Sequence, residues 1–142
     1  IIENSLYFLL FFMSLVFLCD SAAWLFGMLL GKNNRGIFKA SPNKSIAGFA
    51  GGIAADLILG FLAWKFFPNI FTGGIWKILL LSLLTAVASI TGDLIESVFK
   101  RSCEIKDSGA IVPGRGGILD SIDSFIAAAP VFYIGIHFLY MV

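Results

Sequence analysis

The sequence is divided into four apolar segments, each long enough to cross a lipid bilayer. They lie at about residues 5–31, 45–67, 75–90 and 119–141, and the third continues as an amphipathic stretch to residue 100. A helical span needs about 20 apolar residues to cross about 30 Å of hydrocarbon. A helix also satisfies its own backbone hydrogen bonds in lipid, which a lone strand cannot do. The pattern predicts an all-α fold, a polytopic transmembrane helix bundle with about four spans.

Composition supports the same protein class. Of 142 residues, 58% are hydrophobic and 13% are charged, whereas a soluble domain carries roughly 25% charge. The lipid bilayer is therefore the first expected partner, and no nucleic-acid partner is expected. The two cysteines, Cys19 and Cys103, lie far apart in the sequence and indicate no disulfide framework.

Basic residues gather in two of the three loops. Eight of the ten Lys and Arg residues lie between spans one and two or between spans three and four. With four spans both loops face the same side, and the positive-inside rule makes that side cytoplasmic. The first loop alone is compatible with a mere topology signal. The second also carries acids, which do little for orientation, and this favours a functional site there.

The stretch from Gly92 to Asp123 concentrates charge between two apolar spans. Its acids include Asp93, Asp107, Asp120 and Asp123, and its bases are Lys100, Arg101, Lys106 and Arg115. Ionisable groups at a membrane boundary are unfavourable, so a functional site is the default hypothesis. Carboxylates hold hard cations, and Lys and Arg hold phosphate oxygens. The stretch therefore predicts a site for metal ions and phosphates.

Helical spacing places several of these groups on shared faces. Asp93, Glu96 or Ser97, and Lys100 fall on one face of the third helix. An alternative for Glu96 and Lys100 is a simple ion pair at a helix end, which leaves the deeper Asp93 without an explanation. Asp120 and Asp123 begin the fourth helix, where one of them could instead be a helix cap. We favour a metal site shared by Asp93 and Asp120.

Three further features of the sequence also carry structural expectations. The glycines of the loop before the fourth helix allow the backbone to approach an anion. Asp20 and Asp56 lie within spans, so each should face the bundle interior and have a partner. Ser41 or Asn43 could cap the start of the second helix.

Three patches of the chain also carry motifs with fixed spacing. SVFKRSCEIKDSGAIVPGRGGILDSID, residues 97–123, fits S-x-x-K-R, K-D-x-G and P-G-x-G-G-x-x-D-x-x-D. DSAAWLFGMLLGK and SPNKSIAGFAGG fit two shorter motifs. Together they resemble the CDP-diacylglycerol synthase (phosphatidate cytidylyltransferase) family, and the likeness covers nearly the whole chain. It corresponds to the C-terminal half of a typical member. We expect residues 1–142, which begin with Ile1, to be the transmembrane C-terminal catalytic portion of a longer membrane enzyme.

The resemblance implies an integral-membrane nucleotidyltransferase of phospholipid biosynthesis. Such an enzyme joins CTP and phosphatidic acid to give CDP-diacylglycerol and pyrophosphate, at the cytoplasmic face of the inner or plasma membrane. It implies Mg²⁺ at Asp93 and Asp120, with Asp123 as a third ligand or support, and leaves open a second cation. The implied catalytic residues are Lys100, Arg101, Lys106, Asp107 and Asp123. The implied substrate contacts are Ser41, Lys44, Ser97, Arg115, Gly116 and Gly117.

The chain departs from the family pattern at four positions, which bear on substrate preference and rate more than on reaction type. The family has Tyr, Glu, His and Arg where this chain has Trp24, Ala47, Arg115 and Ser121. The alternatives are a polyprenol kinase-like enzyme, an archaeal-lipid cytidylyltransferase, a non-catalytic relative, or an ion-conducting membrane protein. Small residues on the helix faces also suggest a homodimer.

Overall fold

The chain is a bundle of four helices. The computed structural model describes residues 2–36, 41–105 and 119–140. Its helices are α1 (Ile2–Leu30), α2 (Ile46–Phe66), α3 (Ile75–Ser102) and α4 (Leu119–Tyr140), with a short 3-10 helix, Gly31–Asn33, after α1. Within those ranges there is no strand, and Arg35 and Ser45 form an isolated antiparallel bridge. The predicted all-α fold is confirmed.

All four helices are long and apolar enough to span a membrane. The candidate spans are Ser5–Leu30, Ile46–Phe66, Ile75–Ser102 and Ile122–Tyr140. Many large apolar side chains lie on the outside of the bundle, among them Leu30, Phe66, Phe99, Tyr133 and Phe138. So much exposed apolar surface would be an aggregation liability in water, whereas lipid tails solvate it. The chain is an integral membrane protein.

The helices pack as two pairs, α1 with α2 and α3 with α4, and the pairs meet mainly through α2 and α3. Glycine allows the first pair to approach closely. A Cβ at Gly48 would lie 2.6 Å from the carbonyl oxygen of Ala23 on α1. In lipid there is little hydrophobic drive between helices, so close backbone packing of this kind supplies much of the association energy.

The start of α2 differs from the sequence-based expectation. Ser45 is the N-cap, and its Oγ accepts a hydrogen bond from the backbone N–H of Gly48 at 3.0 Å. Ser41 and Asn43 lie before that position, in the turn that leads to it, so the prediction that one of them caps α2 is wrong. The extended backbone of Ser45 immediately before Ile46 gives it the cap geometry. The helix ends at Phe66, two residues before Pro68, which cannot donate a helical backbone hydrogen bond.

The apolar core lies towards the end of the bundle that holds the α2–α3 connection. Phe71 of that connection packs on Phe8 and Phe11 of α1, with ring centroids 5.6 and 4.8 Å apart. Ile78 and Leu81 of α3 complete the same cluster. The polar groups of α3 and α4 therefore gather at the other end, where α3 finishes and α4 begins.

Candidate functional site

Three carboxylates from two helices converge where α3 finishes and α4 begins. Asp93 and Glu96 of α3 and Asp123 of α4 each offer an oxygen, and these oxygens all lie within 4.8 Å of one another. We call these three residues the acid cluster. It partly matches the predicted metal site, because Asp93 and Asp123 were expected in it and Glu96 was not.

A close contact between α3 and α4 forms the acid cluster. A Cβ at Gly92 would lie 2.9 Å from the backbone oxygen of Asp123 and 2.5 Å from the Cβ of Ala127. Only a glycine permits that approach, and the next residue, Asp93, is thereby held beside Asp123. Asp123 Oδ1 also accepts a hydrogen bond from the N–H of Ser124 at 2.7 Å, which fixes its side chain on α4.

Glu96 is the member of the acid cluster that was not among the metal ligands predicted from the sequence. Its Oε2 pairs with Lys100 Nζ at 2.9 Å, as the ion-pair interpretation expected. Its Oε1 is buried and has no hydrogen-bond partner, and the residue is only 7% exposed. The sequence did contain a signal that Glu96 could join Asp93 in the acid cluster, because the two residues are spaced i, i+3 and so lie on one helical face.

The loop before α2 reaches the acid cluster from the side. Lys44 Nζ lies 2.5 Å from Asp93 Oδ2 and donates a long hydrogen bond, 3.5 Å, to Ser97 Oγ. Ser97 Oγ itself donates to the backbone oxygen of Asp93 at 2.9 Å. The structure thus brings together Lys44, Asp93 and Ser97, three of the predicted site residues, although about fifty positions separate the first from the others.

A cavity of about 480 Å³ with several charged and hydroxyl side chains in its wall, called the polar cavity below, opens beside Asp93, between α1, the start of α2 and α3. Its walls include Asp20, Trp24, Gly27, Arg35, Ser41 and Lys44. The two shorter motifs of the sequence therefore face each other across one space. Arg35 Nη2 donates to the backbone oxygen of Gly27 at 2.8 Å, which anchors the guanidinium at the cavity wall. A cavity of this size falls within the range that small-molecule ligands occupy.

A second space, an apolar groove of about 460 Å³, lies between α3 and α4. Ile95, Phe99 and Ile126 contribute its apolar surface, and Glu96, Lys100 and Asp123 also line it. The acid cluster therefore contributes to both spaces, with Asp93 in the polar cavity and Glu96 and Asp123 in the apolar groove.

The two intramembrane acids have different surroundings. Asp20 accepts a hydrogen bond from Ser124 Oγ of α4 at 3.3 Å and lines the polar cavity, as its expected inward orientation required. Asp56 is fully buried in α2, and neither of its carboxylate oxygens has a hydrogen-bond partner. Asp56 therefore faces the bundle interior, as expected, but the hydrogen-bonding partner that was expected for its carboxylate is not present among the described residues.

Several predicted site residues lie outside the described residues: Lys106, Asp107, Arg115, Gly116 and Gly117. Asp120 lies in the first turn of α4, but its side chain also lies outside them. Arg101 is exposed in the last turn of α3.

The acid cluster suits a hard divalent cation. Magnesium is bound through carboxylate oxygens and retained water, and all three side chains supply such oxygens. Glu96 Oε1 is buried and has no hydrogen-bond partner, which is strongly unfavourable for a carboxylate oxygen. A bound cation would satisfy this oxygen. The donor set therefore fits the Mg²⁺ that the family resemblance implied.

Comparison with known proteins agrees with the motifs. The chain is similar to proteins named phosphatidate cytidylyltransferase from Staphylococcus haemolyticus (41% identity, 90% of this chain and 48% of the relative) and Staphylococcus aureus (42%, 90% and 48%). The same name is carried by a Haemophilus influenzae relative (41%, 91% and 45%). The chain spans about half the length of the curated relatives it matches. The model of the Cytidylyltransferase family matches residues 1–139. This chain belongs to the cytidylyltransferase family.

Proposed function

We propose that this chain carries the catalytic site of a membrane nucleotidyltransferase that joins CTP and phosphatidic acid into CDP-diacylglycerol and pyrophosphate. The observation that carries the proposal is the position of the acid cluster between a polar cavity and an apolar groove. One reactant is a soluble polyanion and the other is a lipid, so an enzyme for both needs two such spaces that meet at the reacting phosphates. The names of the relatives support the same substrates.

The metal site of this proposal is held by Asp93, Glu96 and Asp123, with Asp120 as a further proposed ligand. A bound Mg²⁺ supplies positive charge where phosphate oxygens crowd together and where pyrophosphate departs. A second cation remains part of the proposal, because two polyanions meet at this site.

The chain's own residues have mainly a positioning and electrostatic task. In the proposed reaction a lipid phosphate oxygen forms a bond to the α-phosphorus of CTP, and the bond from that phosphorus to the bridging oxygen of pyrophosphate breaks. The nucleophile is already an anion, so no strong general base is required, and bound charge and alignment supply most of the catalysis. The proposed phosphate-binding bases are Lys44, Lys100, Arg101, Lys106 and Arg115.

The remaining predicted residues keep proposed roles around these phosphates. Ser41 lines the polar cavity and Ser97 contacts Lys44, which supports substrate contacts for both. Asp107, Gly116 and Gly117 are proposed from the family motif alone.

The proposed location is the inner or plasma membrane, with the site facing the cytoplasm. The proposal is supported by the sequence positions of the bases, because eight of the ten lie between spans one and two or between spans three and four. A homodimer is also proposed. Because Gly48, Gly51 and Gly52 of α2 are buried inside this chain, a dimer would have to use other helix faces.

The direct test supplies membranes containing the intact protein with phosphatidic acid and CTP labelled at either the α- or the γ-phosphate. We expect the α-label, and not the γ-label, to enter a Mg²⁺-dependent lipid product. Entry of the γ-label instead would identify a lipid kinase. If the α-label enters lipid only when an isoprenoid-ether lipid phosphate replaces phosphatidic acid, the protein is an archaeal-lipid cytidylyltransferase, and no lipid label with either substrate would indicate a non-catalytic relative.

A further inference from the structure

Two lysines reach the acid cluster, one from the loop before α2 and one from α3 itself. Lys44, in the loop before α2, contacts Asp93 at 2.5 Å. Lys100, in the last turns of α3, contacts Glu96 at 2.9 Å. Both lysine side chains are largely withdrawn from solvent, with 19% and 17% exposed. Two of the three carboxylates are therefore compensated by ammonium groups held in place by the fold.

The two lysines belong to different ligand spaces. Lys44 lines the polar cavity together with Ser41 and Arg35. Lys100 lines the apolar groove, beside Phe99 and Ile95. The surface of the groove is almost entirely apolar and suits the chains of a lipid, and Lys100 in its wall can turn to the lipid's anionic head, whereas Lys44 lies in the polar cavity and suits a soluble anion.

We propose that Lys44 and Lys100 are built-in counter-cations of the acid cluster that divide the two phosphate ligands between them, Lys44 binding the nucleotide phosphates and Lys100 the phosphate of the lipid. The proposal rests on the proposed function and assigns one of its two substrates to each lysine.

The charges give the physical reason. Three carboxylates whose oxygens lie within 4.8 Å repel one another, and the two ammonium groups offset that repulsion when no metal is present. A divalent cation bound among the carboxylates makes the ammonium groups redundant and repels them. A lysine has a flexible four-carbon stem and three rotatable donors, so each can turn from a carboxylate to an arriving phosphate without movement of its backbone.

The first experiment measures KM for both substrates in the intact protein in lipid nanodiscs. We expect Lys44→Met to raise KM for CTP about tenfold or more, and KM for phosphatidic acid less than about twofold, because one charged hydrogen bond is lost. Lys100→Met should instead raise KM for phosphatidic acid about tenfold or more, and KM for CTP less than about twofold. The charge-preserving variants Lys44→Arg and Lys100→Arg should recover most of each effect, and Lys65→Met, at the far end of α2, should change neither KM.

The second experiment measures Mn²⁺ binding by electron paramagnetic resonance with no substrate present. We expect Lys44→Met and Lys100→Met each to bind Mn²⁺ about tenfold more tightly than the unmodified protein, because a competing cation is gone. A merely structural role for these lysines would instead loosen the acid cluster and weaken Mn²⁺ binding. Lys65→Met should bind the ion like the unmodified protein.

Two results would overturn the proposal. One is that both Met variants raise both KM values to the same extent. The other is that Mn²⁺ binding weakens in variants whose thermal unfolding is unchanged. Neither result touches the proposed function, which fails if the unmodified protein puts no α-label into CDP-diacylglycerol. In that event the Mn²⁺ measurement still decides whether the lysines are counter-cations.

Discussion

Glu96 is a buried acid whose carboxylate is only partly satisfied by its neighbours. It is 7% exposed, one of its carboxylate oxygens is bound to Lys100, and the other is buried without a hydrogen bond. Leaving a buried polar group unsatisfied costs about 1–3 kcal/mol, and more for a charged one. A cation shared with Asp93 and Asp123 would satisfy that oxygen, and this connects its burial to the proposed metal.

The variant Glu96→Gln tests this connection. It keeps the size of the side chain and removes its charge, so we expect Mn²⁺ affinity to fall at least about tenfold and CTP turnover to fall about a hundredfold. Isothermal titration and lipid-product assays measure the two effects. Glu104→Gln is the matched control, because Glu104 is an exposed acid just past the end of α3. Unchanged metal affinity in Glu96→Gln would remove Glu96 from the metal site.

The corresponding test of the predicted ligands is Asp93→Asn and Asp120→Asn. Both carboxylates are proposed to bind the ion directly, so we expect each variant to lose most of its Mg²⁺-dependent CTP turnover, by about a hundredfold or more. Turnover in the purified intact protein across a Mg²⁺ titration measures it. If both variants keep turnover, the metal assignment is wrong.

At the level of elements, the close packing of α3 on α4 decides whether the acid cluster exists. Neither helix carries the three acids alone, and Asp93 and Asp123 lie thirty positions apart in the sequence. Gly92 is the point of contact, facing the backbone oxygen of Asp123 and the Cβ of Ala127. The spacing of Asp93 and Glu96 is therefore set within α3, whereas their approach to Asp123 depends on how α3 packs against α4.

The variant Gly92→Ala should separate the two helices at the site. The added methyl would collide with backbone, which cannot move aside as a side chain can, so we expect a loss of about 1–3 kcal/mol in the free energy of unfolding together with weaker Mn²⁺ binding. Gly135→Ala is the control at the other end of the same helix pair, where the methyl meets only the flexible end of Leu81. That variant should keep full Mn²⁺ affinity, and equal loss in both would contradict a specific role for Gly92.

These elements also show which features the sequence could predict. The four spans follow from local hydropathy, and all four predicted helices are present. The α2 cap was misplaced because Ser41, Asn43 and Ser45 are all competent caps, and only the backbone path selects Ser45. Glu96 was not placed in the metal site because its local ion pair with Lys100 offered an alternative explanation for it, although that pair leaves one carboxylate oxygen without a partner. The contacts of Lys44 with Asp93 and of Asp123 with Glu96 depend on how helices pack, which no local spacing contains.

At the scale of the whole molecule, the two ends of the bundle differ in chemistry. Aromatic and aliphatic side chains fill the end near Phe71, whereas acids and bases gather at the end where α3 finishes. The distribution of basic loops predicts that the charged end lies on the cytoplasmic side. CTP is a cytoplasmic metabolite and carries several negative charges, so the proposed reaction also requires that orientation.

Cysteine labelling can determine this orientation without any activity. Cys103 is exposed just past the end of α3, whereas Cys19 is fully buried in α1. We expect a membrane-impermeant maleimide to label the protein in inside-out vesicles and not in right-side-out ones, and Cys103→Ser to abolish that labelling. In the Cys103→Ser background, Thr72→Cys places a thiol in the exposed α2–α3 connection, and it should be labelled only in right-side-out vesicles. The opposite pattern for both thiols would place the acid cluster outside the cell, where CTP does not reach it, and would contradict the proposed orientation.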